Sequence, residues 1–437
     1  MRLHHLKKSL LVASCALFIT ASGALHADVS DDALNAYRTG NYRTAYSLLI
    51  PLANNGDRDA QFKIGVLYDN GQGVPQDYAR AAAWYRKAAE QGDASAQRNL
   101  GIKYLKGEGV PQDLAQAVAW YRKAADQGYA PTQHNLGVMY DRGQGVPQDY
   151  AQAAAWYRKA ADQGYVYAQH NLGNQYLKGH GVPQDFAHAA DWYRKAAEQG
   201  FTQAWHNLGR LYEDGKGVPQ DYTQAAAWYR KAAEHGEVYA QNRIGVLHEL
   251  GRGVPQDYAQ AASWYRKAAE QGHAGAQHNL GALYDFGQGV SQDYAQAATW
   301  YRKAAEQGYA YAQRNLGRLY NQGKGVPQDY AQAATWVHKA AEQGDASALN
   351  NLGAMYEHGQ GVSENAVLAY MLYNLAATQG QESSATNLAR VADSLTKAQV
   401  EEGKALSLTW SVGKPLPTTT KTFKPVKAKN TIENRSL

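Results

Sequence analysis

VPQDYAQAAAWYRKAADQG, residues Val146–Gly164, decides the fold, because it returns along the chain with few letters changed. Its tryptophan recurs as Trp84, Trp120, Trp156, Trp192, Trp228, Trp264, Trp300 and Trp336, each 36 residues from the next. Counted from Asp57, nine such units run to residue 380 without insertion or deletion. A fixed period overrides the expectation that a chain of 437 residues forms two or three domains. Each unit buries its apolar face only against its neighbours, so the array is one stacked structure.

Each unit reads as two helices. In residues 129–164 the first half, PTQHNLGVMYDRG, sets Thr132, Leu136, Val138, Met139 and Tyr140 near the i, i+4, i+7, i+8 spacing of an amphipathic helix that Gly143 ends. The connector GQGVPQD breaks the helical pattern, and Asp149 is placed to cap the next helix. There Tyr150, Ala153, Ala154, Trp156, Tyr157, Ala160 and Ala161 share one arc, whereas Lys159 and Asp162 point away. Gly164 supplies a left-handed C-terminal residue. A glycine also sits inside every first helix: Gly65, Gly101, Gly137, Gly173, Gly209, Gly245, Gly281, Gly317 and Gly353. Mid-helix glycine costs roughly 1 kcal/mol against alanine, so its repetition predicts close helix approach. The tryptophan is expected to be the chief filler of that packing, with its ring at the edge of the apolar arc.

The recurring residues, for example Ala168, Leu172-Gly173, Tyr176, Gly179, Gly181-Val182, Asp185, Ala189, Trp192, Ala196-Ala197 and Gly200, resemble the Sel-one-like repeat family. The resemblance covers nearly three quarters of the chain. It implies an all-α fold, a right-handed superhelical α-solenoid of antiparallel, tetratricopeptide-like helix pairs. It also implies a non-enzymatic adaptor or scaffold, without cofactor, whose concave surface binds protein partners. Exported bacterial members serve envelope maintenance, signalling or host contact. Some relatives pin each helix pair with a disulfide. Here the only cysteine is Cys15, so the penicillin binding claimed for cysteine-rich relatives is a weak guide.

Residues 1–27 read as a secretory signal: Arg2, Lys7 and Lys8, an apolar run from Leu10 to Ile19, then small-residue exits after Ala24 or Ala27. The run is too short for a permanent membrane span. Val12-Ala13-Ser14-Cys15 has the look of a lipidation box, but the residues around it argue against one. The expected location is periplasmic or secreted, with no transmembrane segment in the mature chain. Residues 28–56 resemble a shorter helix pair capping the array, and residues 381–410 a closing pair. Residues 411–437 are rich in Lys, Thr and Pro and are expected to be disordered. The net charge of +5 divides into +3 for residues 1–27, +5 for residues 411–437 and −3 for the body. A mildly acidic body excludes nucleic acid as a partner. The basic tail suits weak contact with an anionic envelope polymer.

Chemistry-bearing patterns are few. Ser394-Leu395-Thr396-Lys397 matches the SxxK of penicillin-recognising enzymes, but SDN and KTG are absent, and Thr396 to Gln399 reads as a capping box. His134, His170, His206 and His278 stand at the sixth position of the repeat, with Arg98 and Arg314 in the same register. Successive repeats place them about 8–10 Å or more apart, too far to share one metal ion. On a helical wheel they face away from the unit's own core, toward solvent or a ligand groove. Positions three, six, ten and thirteen vary among near-identical units, and Trp205 replaces the usual Gln at position five; together they bring in residue types that dominate interface energies: Tyr167, Trp205, Arg210, Tyr239, Tyr311 and Arg318. These, with the histidines and Arg314, are the candidate protein-binding residues. The competing readings are an envelope enzyme or regulator acting on peptidoglycan or β-lactams, and a secreted effector engaging host proteins.

Overall fold

The computed structural model describes residues 31–421, and among these the regular structure is helical with no strand. The secretory-signal reading of residues 1–27 lies outside the described residues, as does the tail beyond Lys421. Consecutive helices form the 36-residue pairs of an α-solenoid. The chain divides into two compact units, one running to Ala204 and including Lys216–Pro219, the other comprising Trp205–Gly215 and Gln220 onward.

In the first unit a helix over residues 31–38 and Tyr42–Asn54 precede four full pairs. These are Arg58–Asn70 with Tyr78–Glu90, Ala94–Lys106 with Leu114–Asp126, Ala130–Arg142 with Tyr150–Asp162, and Val166–Lys178 with Phe186–Glu198. The second unit holds Tyr222–Glu234 and then four pairs: Val238–Leu250 with Tyr258–Glu270, Ala274–Phe286 with Tyr294–Glu306, Ala310–Gln322 with Tyr330–Glu342, and Ala346–His358 with Ala366–Thr378. It ends in Glu382–Asp393 and Lys397–Thr409. The helix Thr202–Asp214 carries the boundary between the units.

Local chemistry sets the helix ends. Second helices start where an Asp carboxylate accepts from a first-turn N–H, as Asp149 does from Gln152. First helices stop at a left-handed glycine, Gly143 for example, whose N–H donates to the Met139 carbonyl.

The tight packing expected at the helical glycine is present, but its filler is the tyrosine that follows the tryptophan. Tyr85, Tyr121, Tyr157, Tyr193, Tyr229, Tyr265 and Tyr301 are fully buried. Each ring lies on the glycine of its partner helix: a Cβ added to Gly137 would stand 2.7 Å from Tyr157 Cδ1. The tryptophans pack one layer further out, and Trp84, Trp192, Trp228, Trp300 and Trp336 keep part of their surface exposed. Nor does the lysine point idly away. Lys159 Nζ lies 3.9 Å from the Trp156 ring centre, and the same Lys-over-Trp contact recurs from Lys87 on Trp84 to Lys339 on Trp336.

A buried glutamine stitches repeat to repeat. Gln133 Nε2 donates to the Ala125 carbonyl at 3.0 Å, and its Oε1 accepts from Gln163 at 2.7 Å. Equivalent bonds join Gln127 to Gln97 and Gln307 to Gln277, so the amide is satisfied in the interior.

The expectation of disorder from residue 411 is corrected for residues 411–421. Gly413 N donates to the Glu342 carbonyl at 2.8 Å, Leu416 N to the Glu342 carboxylate at 3.1 Å, and Asn365 Nδ2 to Thr420 Oγ at 3.1 Å. Leu416 is buried against the last helices. One buried apolar residue and hydrogen bonds to a half-buried Glu342 and to Asn365 suffice to strap a polar segment, which composition alone does not reveal.

Candidate functional site

Second helices are nearly identical, so distinct surface chemistry falls to the first helices. Aspartates cap three of these, Asp57, Asp93 and Asp345, whereas Tyr129, Tyr165 and Tyr309 occupy the same position and make no side-chain cap. Losing an Asp cap costs about 0.5–2 kcal/mol, so the aromatic ring contributes something the cap does not. Two residues on, Tyr167, Tyr239 and Tyr311 are 51%, 60% and 52% exposed. They stand 72 residues apart, one in every second repeat.

Each exposed tyrosine rests on the candidate histidine 33 residues before it. Ring centres are 6.1 Å apart for His134 and Tyr167, 6.2 Å for His206 and Tyr239, and 6.2 Å for His278 and Tyr311. The histidines are therefore not a solvated row. His134 is half-buried between Tyr157 of its own unit and Tyr165 of the next, and His278 between Tyr301 and Tyr309. The helical wheel of a single unit missed this because the neighbouring unit covers that face. Their ring nitrogens bond forward too: Asn171 Nδ2 lies 3.0 Å from His134 Nε2, and Asn315 Nδ2 3.2 Å from His278 Nε2. His170 makes the same kind of contact with Phe201, 5.0 Å between ring centres, and Phe201 lies edge-on to Tyr167 at 5.4 Å. In the first unit the rings of His134, Tyr165, Tyr167, Phe201 and His170 thus form one continuous aromatic surface.

In the second unit Tyr239 lies parallel to His206 and edge-on to His273 at 5.1 Å. A groove continues from it, lined by Arg243, His273, Gly275, Asn279 and Tyr309. The absent side chain at Gly275 leaves this space open beside Tyr309.

The remaining candidates separate. Arg210 is exposed. Arg314 spends its guanidinium on Asp345, at 3.0 and 2.9 Å, while lying 5.4 Å over Tyr311. Arg318 pairs with Asp285 across a repeat joint, as Arg243 does with Glu213 and Arg390 with Glu357. Trp205 is corrected: it is only 9% exposed and packs edge-on to His235 at 4.8 Å. These two residues jointly replace the Gln–Gln pair of other repeats, so Trp205 is a joint and not a presented contact. Tyr165, Phe201 and Tyr309 were missed by sequence reasoning. Their signal was the cap position without its aspartate.

Burial holds the pKa of His134, His170, His206 and His278 below the ordinary histidine value. For His206 the nearby Glu237 carboxylate, 3.7 Å away, opposes that shift, with Arg210 and Arg243 adding to it. Because the folded chain prefers neutral imidazoles, their contribution to stability is complete above the unfolded histidine pKa, near 6.5. It is lost as pH falls through the lower folded values. The urea midpoint is therefore expected to be lower at pH 5 than at pH 7.5. Replacing His134, His170 and His278 by asparagine, the residue present in this register as Asn242, should shrink the difference. An unchanged difference would contradict this assignment.

Ser394 Oγ donates to the Val391 carbonyl at 2.7 Å, and Thr396 forms a capping box with Gln399, so the SxxK match resolves into helix termini. Among the described residues no group of three or more His, Cys, Asp or Glu side chains is placed to hold a metal, and no helix is long and apolar enough to cross a membrane.

The Sel1 repeat model matches residues 58–93, 94–129, 130–165, 166–201, 203–237, 238–273, 274–309, 310–345 and 346–381. Among solved structures, the chain is 38% identical to a protective antigen present in uropathogenic Escherichia coli strains displaying an SLR fold, covering 84% of this chain and 86% of that one, with a TM-score of 0.59. It is 36% identical to a Sel1 repeat protein from Oxalobacter formigenes, covering 71% of this chain and 89% of that one, also with a TM-score of 0.59. No curated protein matches the chain in sequence.

Proposed function

The chain belongs to the Sel1 repeat family, a scaffold typical of protein–protein interaction, and from that premise we propose that it is a non-enzymatic adaptor, periplasmic or secreted, whose first-helix face holds a protein partner. The observation that carries this reading is the set of three exposed tyrosines, Tyr167, Tyr239 and Tyr311, each backed by a half-buried histidine. Tyrosine offers large contact area with little rotamer entropy to lose, and a ring already held by a neighbour loses less still. Within the second compact unit, the recurrence of Tyr239 and Tyr311 two repeats apart suits an extended or helical partner segment that lies along that unit. Arg314, already paired with Asp345, lies over the Tyr311 ring and helps to hold it in place. The N-terminal reading of an export signal supports an envelope or extracellular setting, with roles in envelope maintenance, signalling or virulence as the expected range.

The test uses photo-crosslinking p-benzoylphenylalanine placed at Tyr239 or, as control, at Glu234 on the exposed side of a second helix. Crosslinks to a discrete partner are expected at position 239 and not at 234. The triple variant Tyr167→Ser, Tyr239→Ser, Tyr311→Ser should lose that partner at least tenfold in affinity, on the order expected for removing interface tyrosines. Its helical circular dichroism should stay unchanged. Retained affinity in the folded triple variant would overturn the assignment.

A further inference from the structure

The repeat's buried tyrosine is missing once. Tyr85, Tyr121, Tyr157, Tyr193, Tyr229, Tyr265, Tyr301 and Tyr373 fill the joint in their units, but position 337 is valine. Its partner glycine, Gly317, is kept, with Val337 Cγ2 2.6 Å from where a Cβ would stand. Beside Val337 lies a cavity of about 320 Å³ lined by Gly317, Arg318, Asn321, Val337, Asn351 and Met355. Asn351 and the neighbouring Gln322 are exposed, so the cavity opens to solvent between them.

The missing hydroxyl has left its acceptor behind. In several repeats a first-helix carboxylate sixteen residues before the tyrosine accepts its phenolic hydrogen bond: Tyr85 donates to Asp69 at 3.1 Å, Tyr229 to Glu213 at 2.8 Å, Tyr301 to Asp285 at 3.2 Å and Tyr373 to Glu357 at 2.7 Å. The residue sixteen before Val337 is Asn321, whose Oδ1 is buried with no hydrogen-bond partner. Buried polar atoms are nearly always paired, and one left alone costs about 1–3 kcal/mol.

We propose that the cavity at Val337 binds a phenolic ring, which supplies the aromatic ring this joint lacks and gives Asn321 a phenolic hydrogen bond like those that Glu213, Asp285 and Glu357 accept in their own repeats. The ring enters between Gln322 and Asn351, lies against Val337 and Met355, and donates its O–H to Asn321 Oδ1. An apolar cavity of about 150 Å³ already admits benzene, so the space is sufficient. The site is independent of the exposed tyrosines and of the partner they hold.

The test is calorimetric titration of the full chain with p-cresol and with toluene. p-Cresol should bind, and toluene, which lacks the hydroxyl, roughly tenfold more weakly. Val337→Tyr fills the cavity from within, as in the other repeats, and should abolish p-cresol binding while raising the urea midpoint. Asn321→Leu keeps the cavity and places there the residue that repeats carry as Leu105 and Leu177. It should bring p-cresol down to the affinity of toluene. Acetyl-Ala-Tyr-Ala-amide separates the sources: binding marks the tip of a partner's tyrosine, and exclusion with p-cresol still bound marks a small free phenol. No binding of p-cresol to the wild type, or equal binding to Val337→Tyr, would overturn the proposal.

Discussion

Replacing Tyr193 by alanine is expected to lower the unfolding free energy by about 3–5 kcal/mol, the range for deleting a fully buried aromatic side chain. The ring is wholly buried, and a Cβ on Gly173 would come within 2.6 Å of its Cε1, so no shift of the paired helices closes the void without tearing other contacts. Its hydroxyl also donates to Asn174 Oδ1 at 2.7 Å. Trp192→Ala, one residue earlier, should cost less, roughly 1–3 kcal/mol, although tryptophan is the larger residue. Trp192 keeps part of its surface exposed and is covered by the Lys195 ammonium, 3.9 Å from its ring centre, which relaxes into solvent when the ring is removed. Tyr193→Phe isolates the hydroxyl and should cost about 1 kcal/mol. Urea unfolding followed by helical circular dichroism orders the three variants. A larger loss for Trp192→Ala than for Tyr193→Ala would return the tryptophan to the centre of the packing.

The same pair of residues explains what was legible in the sequence. Period, helix pairing and capping aspartates are local properties, and a 36-residue repetition displays them openly, down to the close approach at Gly173. The choice between Trp192 and Tyr193 as the buried ring was not legible, because adjacent residues on one arc differ by about 100° of helix and only the partner helix decides which is covered. The histidines failed for a related reason. A wheel drawn for one unit sends His134 outward, but its outward side is the inside of the joint with Tyr165. In a solenoid every unit has two neighbours, so solvent exposure is a property of the joint. Trp205 was misread likewise: its variation pointed to recognition, whereas it varies together with His235 to keep a joint filled. Tyr167, Tyr239 and Tyr311 were legible as outliers, since no packing demand requires a tyrosine there. Their period of two repeats became meaningful only beside the histidines that support them.

Gly181→Ala is expected to be strongly disruptive for so small a substitution, at about 2–5 kcal/mol, from left-handed strain of about 1–2 and overpacking of about 1–3. Gly181 has φ +70°, and an added Cβ would run into the carbonyl of Tyr150 and stand 2.5 Å from Ala151 N, at the start of the preceding unit's second helix. The obstacle is backbone, so no rotamer change relieves it. Gly164 provides the control. Its φ of +85° is equally left-handed, but nothing lies within 4 Å of its added Cβ, so Gly164→Ala should cost only the strain, about 1–2 kcal/mol. Limited proteolysis distinguishes the two beyond their urea midpoints: Gly181→Ala should expose the connector at residues 179–185 to cleavage, and Gly164→Ala should leave it protected. Equal midpoints and equal protection would show that conformation alone explains the glycine. The predicted difference has a structural meaning, because the second glycine of each GxGV connector lies on the preceding unit, as Gly145 does on Leu114 and Gly289 on Tyr258. Within each compact unit the pitch of the stack is then fixed by backbone resting on backbone. That contact leaves first-helix side chains free to change from repeat to repeat without altering the spacing at which they are presented.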